Sequence, residues 1–305
     1  MDSGLTVLGG KGFVGGQYVR TFYDAAIGHI RSVNDRDDYN VYSKDVLYFI
    51  STIHNFHVFD QPHLDIDTNL TTLVTVLENW RKRPSSKDGV FNFISSWLVY
   101  GNQTDPNGVS EDAPCNPQGF YSITKRCAEQ LLISYCNTYN LKYRIIRLSN
   151  VLGLGDRKVS AQKNGLQFMI NKLANNEPVE IYGNGEFYRD FTHVEDCTAA
   201  IDLIIGKGNT NEIYNVGNGK TWCFKDIILF AKGCLGSSST VTFVEPKEFQ
   251  KQVVVQTFYM DNTKLRQLGY YPKYTGDALY ASILPTHVDR NYQLSLPPLV
   301  EGNLT

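Results

Sequence analysis

Short runs of branched and aromatic residues alternate along the chain with longer segments whose apolar positions recur every three to four residues. Leu5–Leu8, Ile30–Val33, Val46–Ile50, Val90–Ser95 and Tyr143–Leu148 read as buried strands. Phe13–Ala26, Leu70–Arg83 and Tyr121–Tyr139 read as helices, with Leu70, Leu73, Val74, Leu77 and Trp80 on one face of the second. Buried strands alternating with helices predict a parallel sheet covered on both faces, and right-handed crossovers make it doubly wound. After about residue 150 the rhythm loosens. Helices at Leu166–Ala174, Glu195–Ile205 and Phe224–Ala231 alternate with strands at Val179–Tyr182 and Ile213–Val216, and Gly233–Ser239 reads as a small-residue loop. These boundaries predict a first unit over 1–160 and a smaller α/β unit over 161–293, with some chain returning to the sheet. A poorly ordered tail is expected over 294–305.

Composition narrows the classes. Of 305 residues, 42% are hydrophobic and 20% charged, as in an ordinary globular chain. The balance of 29 basic against 31 acidic residues builds no basic surface for nucleic acid or anionic membrane. No run reaches the length of a spanning helix, and no signal pattern opens the chain. Six cysteines lie scattered, without metal-ligand spacing, so a reducing cytoplasmic setting with no structural metal is expected.

Two stretches carry chemistry. Leu5-Thr-Val-Leu-Gly-Gly-Lys-Gly-Phe-Val-Gly15 puts glycines between the first strand and the first helix, readable as Gly10-x-Gly12-x-x-Gly15 or Gly9-x-x-Gly12-x-x-Gly15. There the backbone can approach a pyrophosphate, held by amides and the helix dipole. Asp35, 20 residues beyond Gly15, is placed to accept from an adenosine ribose, while Arg36 could face a 2′-phosphate. NAD and NADP both stay open. Tyr121-Ser-Ile-Thr-Lys125 puts a phenol and an ammonium on one helical face. An ammonium about 4 Å from a phenolate at an effective dielectric near 20 would lower the phenol's pKa by roughly three. An amphipathic surface pair is the plainer reading of that spacing taken alone.

Together, Gly9-x-x-Gly12-Phe-Val-Gly15, Ser95-Ser96-Trp-Leu-Val-Tyr-Gly101 and Tyr121-x-x-x-Lys125 resemble the extended short-chain dehydrogenase/reductase family, in its NAD-dependent epimerase/dehydratase branch acting on nucleotide sugars. Pro117, Asn69, Arg147-Leu-Ser-Asn-Val-Leu-Gly153 and the run Ile181–Asp196 add to the likeness, which extends from Leu5 to about Tyr280. It implies a Rossmann-type cofactor domain, shortened after the second strand, and a substrate domain behind it. It also implies that Ser96, Tyr121 and Lys125 are catalytic. Ser96 would bond the sugar oxygen, Tyr121 would exchange its proton, and Lys125 would hold the nicotinamide ribose. The cofactor would lie along Gly9, Gly12, Phe13, Val14, Gly15, Asp35, Arg36, Ser51, Thr52, Asn69, Ser95 and Leu148. The sugar nucleotide would meet Trp97, Asn150, Asn164, Leu166, Tyr182 and Arg189, the last gripping a phosphate unless it pairs with Asp190 or Glu186. His193 reads as a structural hydrogen-bonder, and Asp196 as a helix cap or an anchor of the Arg189 loop. The Tyr121 helix, through Leu131, Leu132, Tyr135 and Cys136, offers either a homodimer face or a stripe packed on the sheet.

Three departures from the family pattern shape the functional expectation. Trp97 and Leu98 stand where dehydratases and decarboxylases place acids, which leaves hydride exchange at a single carbon. Only ten residues separate Asp35 from Val46, so the usual extra strand and helix are missing, and Tyr39 or Asp38 is left to meet the adenine. Lys247 and Lys251 stand in for a late arginine, giving charge without a fork. A nucleotide-sugar 4-epimerase is the first expectation and an NADPH-dependent 4-keto-sugar reductase the second. A non-catalytic dinucleotide-sensing scaffold is third, opposed by the retention of both Tyr121 and Lys125.

Overall fold

The computed structural model describes residues 4–23, 30–34, 37–103, 105–156, 159–253 and 257–284. Asp35, Arg36 and the 294–305 tail lie outside them, as does the end of the first predicted helix.

Six parallel strands form the central sheet: β1 (Leu5–Leu8), β2 (Ile30–Asn34), β3 (Asp45–Tyr48), β4 (Val90–Ser96), β5 (Lys142–Leu148) and β10 (Glu212–Val216). Their order is β10-β5-β4-β3-β1-β2. β1, β4 and β5 are short and almost wholly buried, their polar residues included, because both faces of the sheet are covered. Helix α1 (Phe13–Phe22) packs beside α7 (Val194–Lys207) on one face, over Leu5, Val7, Leu47 and Ile146. The other face carries α4 (Thr72–Arg81) and α5 (Phe120–Tyr139) over Tyr48, Phe91 and Phe93. Short helices α2 (His57–Asp60) and α3 (Pro62–Ile66) lead through a wide helical turn at Asp67–Thr71 into α4.

The second half builds its own core. Helices α6 (Gly165–Ala174), α8 (Phe224–Leu235) and α11 (Asp277–Ser282) enclose Ile170, Leu173, Ile181, Trp222, Ile227 and Tyr280. Three two-stranded pairs complete it: β6 (Asn150–Leu152) with β9 (Phe191–His193), β7 (Val179–Tyr182) with β12 (Val241–Val244), and β8 (Tyr188–Arg189) with β11 (Trp222–Cys223). Helices α9 (Glu248–Val253) and α10 (Thr263–Gln267) lie in the connections. β10, though late in the chain, returns to the central sheet beside β5.

Several expectations change. Helix α1 ends at Phe22, where Tyr23 turns to an extended backbone. Helix α8 runs through Gly233 to Leu235 because Cys234 is buried in the second core, and Gly236 (φ +57°) ends it. Val76 takes the inward place expected of Val74, which faces out. In α5, Leu132 and Cys136 pack on the sheet while Leu131 is exposed, so the apolar stripe is divided between core and surface.

Across the shortened β2–β3 connection, the Asn34 amide donates to the Asp38 and Asn40 carbonyls, and the Thr6 and Ser43 hydroxyls bond at 2.8 Å. Asp38 accepts from the Asn40 backbone and side chain, and Tyr39 packs against the α4 core. Both are thus committed locally rather than presented to an adenine.

Trp80 is fully buried against Phe91, and its indole N–H donates to the Lys44 carbonyl at 2.6 Å. Trp80→Ala opens a cavity and orphans that carbonyl. It should lower the unfolding free energy by about 3–5 kcal/mol, read as a lower urea midpoint at unchanged slope.

Candidate active site

In a parallel sheet every strand points the same way, so the carboxyl ends of β1, β3, β4 and β5 gather the glycine turn, Ser51–Thr52, Ser95–Ser96 and Ser149–Asn150 along one edge. At the glycine turn the Gly12 amide donates to the Gly9 carbonyl at 3.1 Å, and α1 begins with no side-chain cap and no acidic residue in its first turn. A methyl on Gly15 would sit 2.6 Å from the Gly9 oxygen, so only glycine allows this close turn. Uncapped amides at a helix N-terminus beside a bare backbone turn fit the pyrophosphate of a dinucleotide.

Ser96 at the end of β4 and Ser51 beyond β3 lie near enough to the Tyr121 hydroxyl to favour its charged form. Gly119 caps the N-terminus of α5 against Asn55: a methyl there would lie 2.3 Å from the Asn55 amide, and Asn55 Oδ1 accepts the Ser122 N–H at 3.3 Å. This close approach holds the start of α5, and Tyr121 with it, against the Ser51 loop. Burial pushes the Tyr121 phenol up, Ser96 and Ser51 pull it down, and the Asp65 carboxylate pushes it up further. The balance is upward, so the expected lowering of the phenol does not occur.

Lys125 explains part of this difference. Its ammonium donates to the Ile94 carbonyl at 2.7 Å and lies 4.2 Å from the centre of the Phe93 ring. Buried there, it is pushed down to about 7, with Glu129 opposing the shift. The neutral amine and the neutral phenol are therefore both favoured by burial.

Serine alternation assigns the two strand-end hydroxyls. Adjacent strand residues face opposite ways. Ser96 looks to Tyr121 and its oxygen also accepts the Leu98 N–H at 3.3 Å, whereas Ser95 donates to Glu129 at 2.6 Å. The Ser95 side chain thus serves the helix anchor rather than the cofactor edge. That anchor was not anticipated: buried Glu129 accepts from Arg147 at 2.9 and 2.8 Å and from Arg126 at 2.8 Å. Arg147 also lies over the Tyr100 ring.

Asn69 joins the Ser51 loop to α5. Its oxygen accepts from Ser51 Oγ and the Thr52 N–H, both at 3.0 Å. Its amide donates to Thr52 Oγ1 at 2.8 Å and Thr124 Oγ1 at 2.9 Å. Thr52 in turn donates to Asp65, a buried acid that was also not anticipated, whose Oδ2 has no hydrogen-bond partner and whose pKa burial raises. The Asn69 and Thr52 side chains are therefore structural links first.

On the substrate side, Trp97 is buried against Phe258, and the Arg189 guanidinium lies between the Trp97 and Phe187 rings at 5.6 and 5.0 Å. Burial pushes Arg189 down to about 9. Neither suggested partner is engaged with it: Glu186 pairs with Lys225 at 2.8 Å, and Asp190 accepts the Asn218 and Met260 backbone amides. The Asn150 amide donates to the Asp190 carbonyl, and the Asn164 amide to Gln167. Leu166 and Leu148 are buried in the two cores, which leaves their backbones alone at the edge. Tyr182 is exposed at the end of β7. His193 caps α7 by accepting the Glu195 N–H, while Asp196 anchors the Lys273 and Tyr274 amides instead of the helix.

A doubly wound sheet with a glycine turn, an uncapped helix start and a Ser–Tyr pair at its carboxyl edge defines a dinucleotide-binding α/β protein. Residues 5–217 match the NAD dependent epimerase/dehydratase family, and the chain belongs to it. It is 28% identical over 297 residues to a putative UDP-glucose 4-epimerase of Methanocaldococcus jannaschii, covering 88% of this chain and 93% of that one. It is 26% identical over 243 residues to a dTDP-glucose 4,6-dehydratase of Xanthomonas campestris, covering 75% and 68% respectively. Among solved structures, the Thermus thermophilus UDP-glucose 4-epimerase in complex with NAD superposes with a TM-score of 0.78 at 20% identity, covering 96% of this chain and 99% of the other. That likeness shows the Rossmann fold. No helix among the described residues is long and apolar enough to cross a membrane.

Lys125 gives a stability prediction. Its folded pKa lies below the 10.5 of a free lysine, so its contribution to stability is present above that value and is lost as pH falls through about 7. Lys125→Met should therefore be more stable than wild type below pH 7, by roughly 5 kcal/mol at most. The gap should close as pH rises toward 10.5, as paired urea titrations would read.

Proposed function

We propose that this chain is an NAD-dependent 4-epimerase of a nucleotide-diphosphate sugar, working in the cytoplasm. The observation that carries the reading is the placing of Ser96, at the carboxyl end of β4, beside the Tyr121 phenol, on the same sheet edge as the glycine turn. Gly9, Gly12 and Gly15, with the Phe13 and Val14 amides, would hold the dinucleotide, and bound nicotinamide supplies the acceptor and donor of hydride. Ser96 would orient the sugar oxygen. Tyr121 would take the proton from that oxygen as the carbon is oxidised and return it when the carbon is reduced on its other face. Arg189, framed by Trp97 and Phe187, would meet the diphosphate. Trp97 and Leu98 supply no acid beside Ser96, which favours epimerisation over dehydration.

The commitment of Asp38 and Tyr39 to local contacts supports a second reading. A loosely held adenine suits a cofactor that leaves after each turnover, as a 4-keto-sugar reductase requires. Incubation with UDP-glucose, UDP-galactose and related sugars, followed by product separation, distinguishes the two. Interconversion without net cofactor consumption is expected. Stoichiometric NAD(P)H oxidation on a 4-keto sugar, with no interconversion, would replace the first reading with the second. Tyr121→Phe should lower turnover by at least about a hundredfold, and full activity in that variant would refute Tyr121 as the proton carrier.

The homodimer reading is narrower than the stripe first suggested. Exposed Ile123 and Leu131 of α5, with Val74 of α4, offer the apolar surface. Light scattering behind size exclusion should give twice the 34.5 kDa chain mass, and Leu131→Asp should reduce it to one.

A further inference from the structure

Trp97 follows Ser96 directly and opens a single 3-10 turn, Trp97–Tyr100, at the carboxyl end of β4. That turn is tied down at several points. Ser96 Oγ accepts the Leu98 N–H at 3.3 Å, the Asn116 N–H donates to the Tyr100 carbonyl at 3.1 Å, and the Tyr100 hydroxyl donates to Asn215 at 2.7 Å. Gly101 ends it with φ +68°, where a methyl would sit 1.8 Å from the Asn116 oxygen. The backbone that carries the indole is therefore fixed to the central sheet.

The indole itself reaches the other half of the molecule. It packs on Phe258 with ring centres 4.6 Å apart, and the Arg189 guanidinium lies 5.6 Å from its centre. Phe258 and Arg189 sit on paired backbone: the Phe258 N–H donates to the Tyr188 carbonyl at 3.0 Å, and the Asp190 N–H to the Phe258 carbonyl at 3.1 Å. From Phe258 the stack continues to Tyr100, 5.8 Å away, and to Arg147, 4.6 Å from the Tyr100 ring and paired with Glu129. Phe187, 5.0 Å from the Arg189 guanidinium, is stacked in turn on Phe224 of the second core.

An aromatic ring suits this place. Its π face attracts a cation without offering an acceptor that would take up the guanidinium N–H groups, and a guanidinium is weakly enough hydrated to be held so. Arg189 is only 7% exposed, so little water competes with that attraction.

We propose that Trp97 is a positioning residue of the substrate site, its indole, carried on the turn that begins beside Ser96, holding the Arg189 guanidinium in place for the diphosphate. The inference rests on the reading of Arg189 as the group that meets the diphosphate. Trp97 acts through Arg189 and exchanges no proton.

Calorimetric titration with UDP, dTDP, CDP, ADP and GDP tests this, using the nucleotide that wild type binds most tightly. Arg189→Leu should weaken binding at least about thirtyfold, and Trp97→Leu about tenfold. Trp97→Phe, which keeps an aromatic face, should recover most of the loss. In the Arg189→Leu background, adding Trp97→Leu should weaken binding no further, because a residue acting through Arg189 has nothing left to hold. Should Trp97→Leu fail to fold, Trp97→Met, which fills more of the space without a ring, replaces it with the same expected weakening. Wild-type affinity in the Leu or Met variant, a Phe variant as weak as they are, or additive losses in the double variant each overturn the proposal. Wild-type affinity in Arg189→Leu would instead overturn the reading of Arg189. A wild type that binds none of these nucleotides would overturn the nucleotide reading itself. The proposal falls with either, and the failures are distinct.

Discussion

Glu129 holds the helix that carries Tyr121 in register. Its carboxylate sits fully buried under α5, two turns beyond Tyr121, and receives two bonds from Arg147 of β5, one from Arg126 and one from Ser95 of β4. The hydrogen bonds outweigh the desolvation that opposes ionisation, so the carboxyl sits below the usual carboxylate range. A buried pair of this kind contributes little net stability, but breaking it is costly, and that asymmetry makes it a device of position. Any slip of α5 along the sheet would strand a charge. Ser95 is bound into the same cluster, so its neighbour Ser96 must face the opposite way, toward the phenol.

The electrostatics of the site follow from how little water reaches it. Burial penalises both the phenolate of Tyr121 and the ammonium of Lys125. A phenol–ammonium pair of the expected kind would have offset part of that cost, but the ammonium has a backbone carbonyl and an aromatic face instead. Hydroxyls around the phenol therefore carry the stabilisation. Asp65 acts against them, pushing the phenol up, while burial raises its own pKa.

What the sequence made legible was local. The glycine turn and the Tyr121–Lys125 spacing depend on one turn of chain, and the alternation of strands and helices on a few residues at a time. Long-range pairings were not legible. Asn69 and Thr124 stand 55 positions apart, and nothing in the residues between them signals contact. Glu129 and Arg147 look like ordinary surface charges on a helix and a strand until the sheet is assembled. Leu166 shows the converse: a position expected at the nucleotide has a side chain that the second core claims. Gly233 failed as a stop signal because tertiary packing of Cys234 overrides a single glycine in a helix.

The shortened β2–β3 connection need not disturb the chemistry, and the sheet order shows why. β2 is the edge strand, separated from β4 by β1 and β3, and the missing segment would have been added at that edge. The turn closes on itself through Asn34, Asp38 and Asn40, and the Thr6–Ser43 bond ties it to β1. None of these contacts reaches the Ser96–Tyr121 pair. In the proposed reaction the adenine end and the reacting end of a dinucleotide would lie along different strands of one edge, so cofactor retention and proton exchange would be separable. Loss of an edge element can loosen the first while β4, α5 and the Glu129 anchor preserve the second.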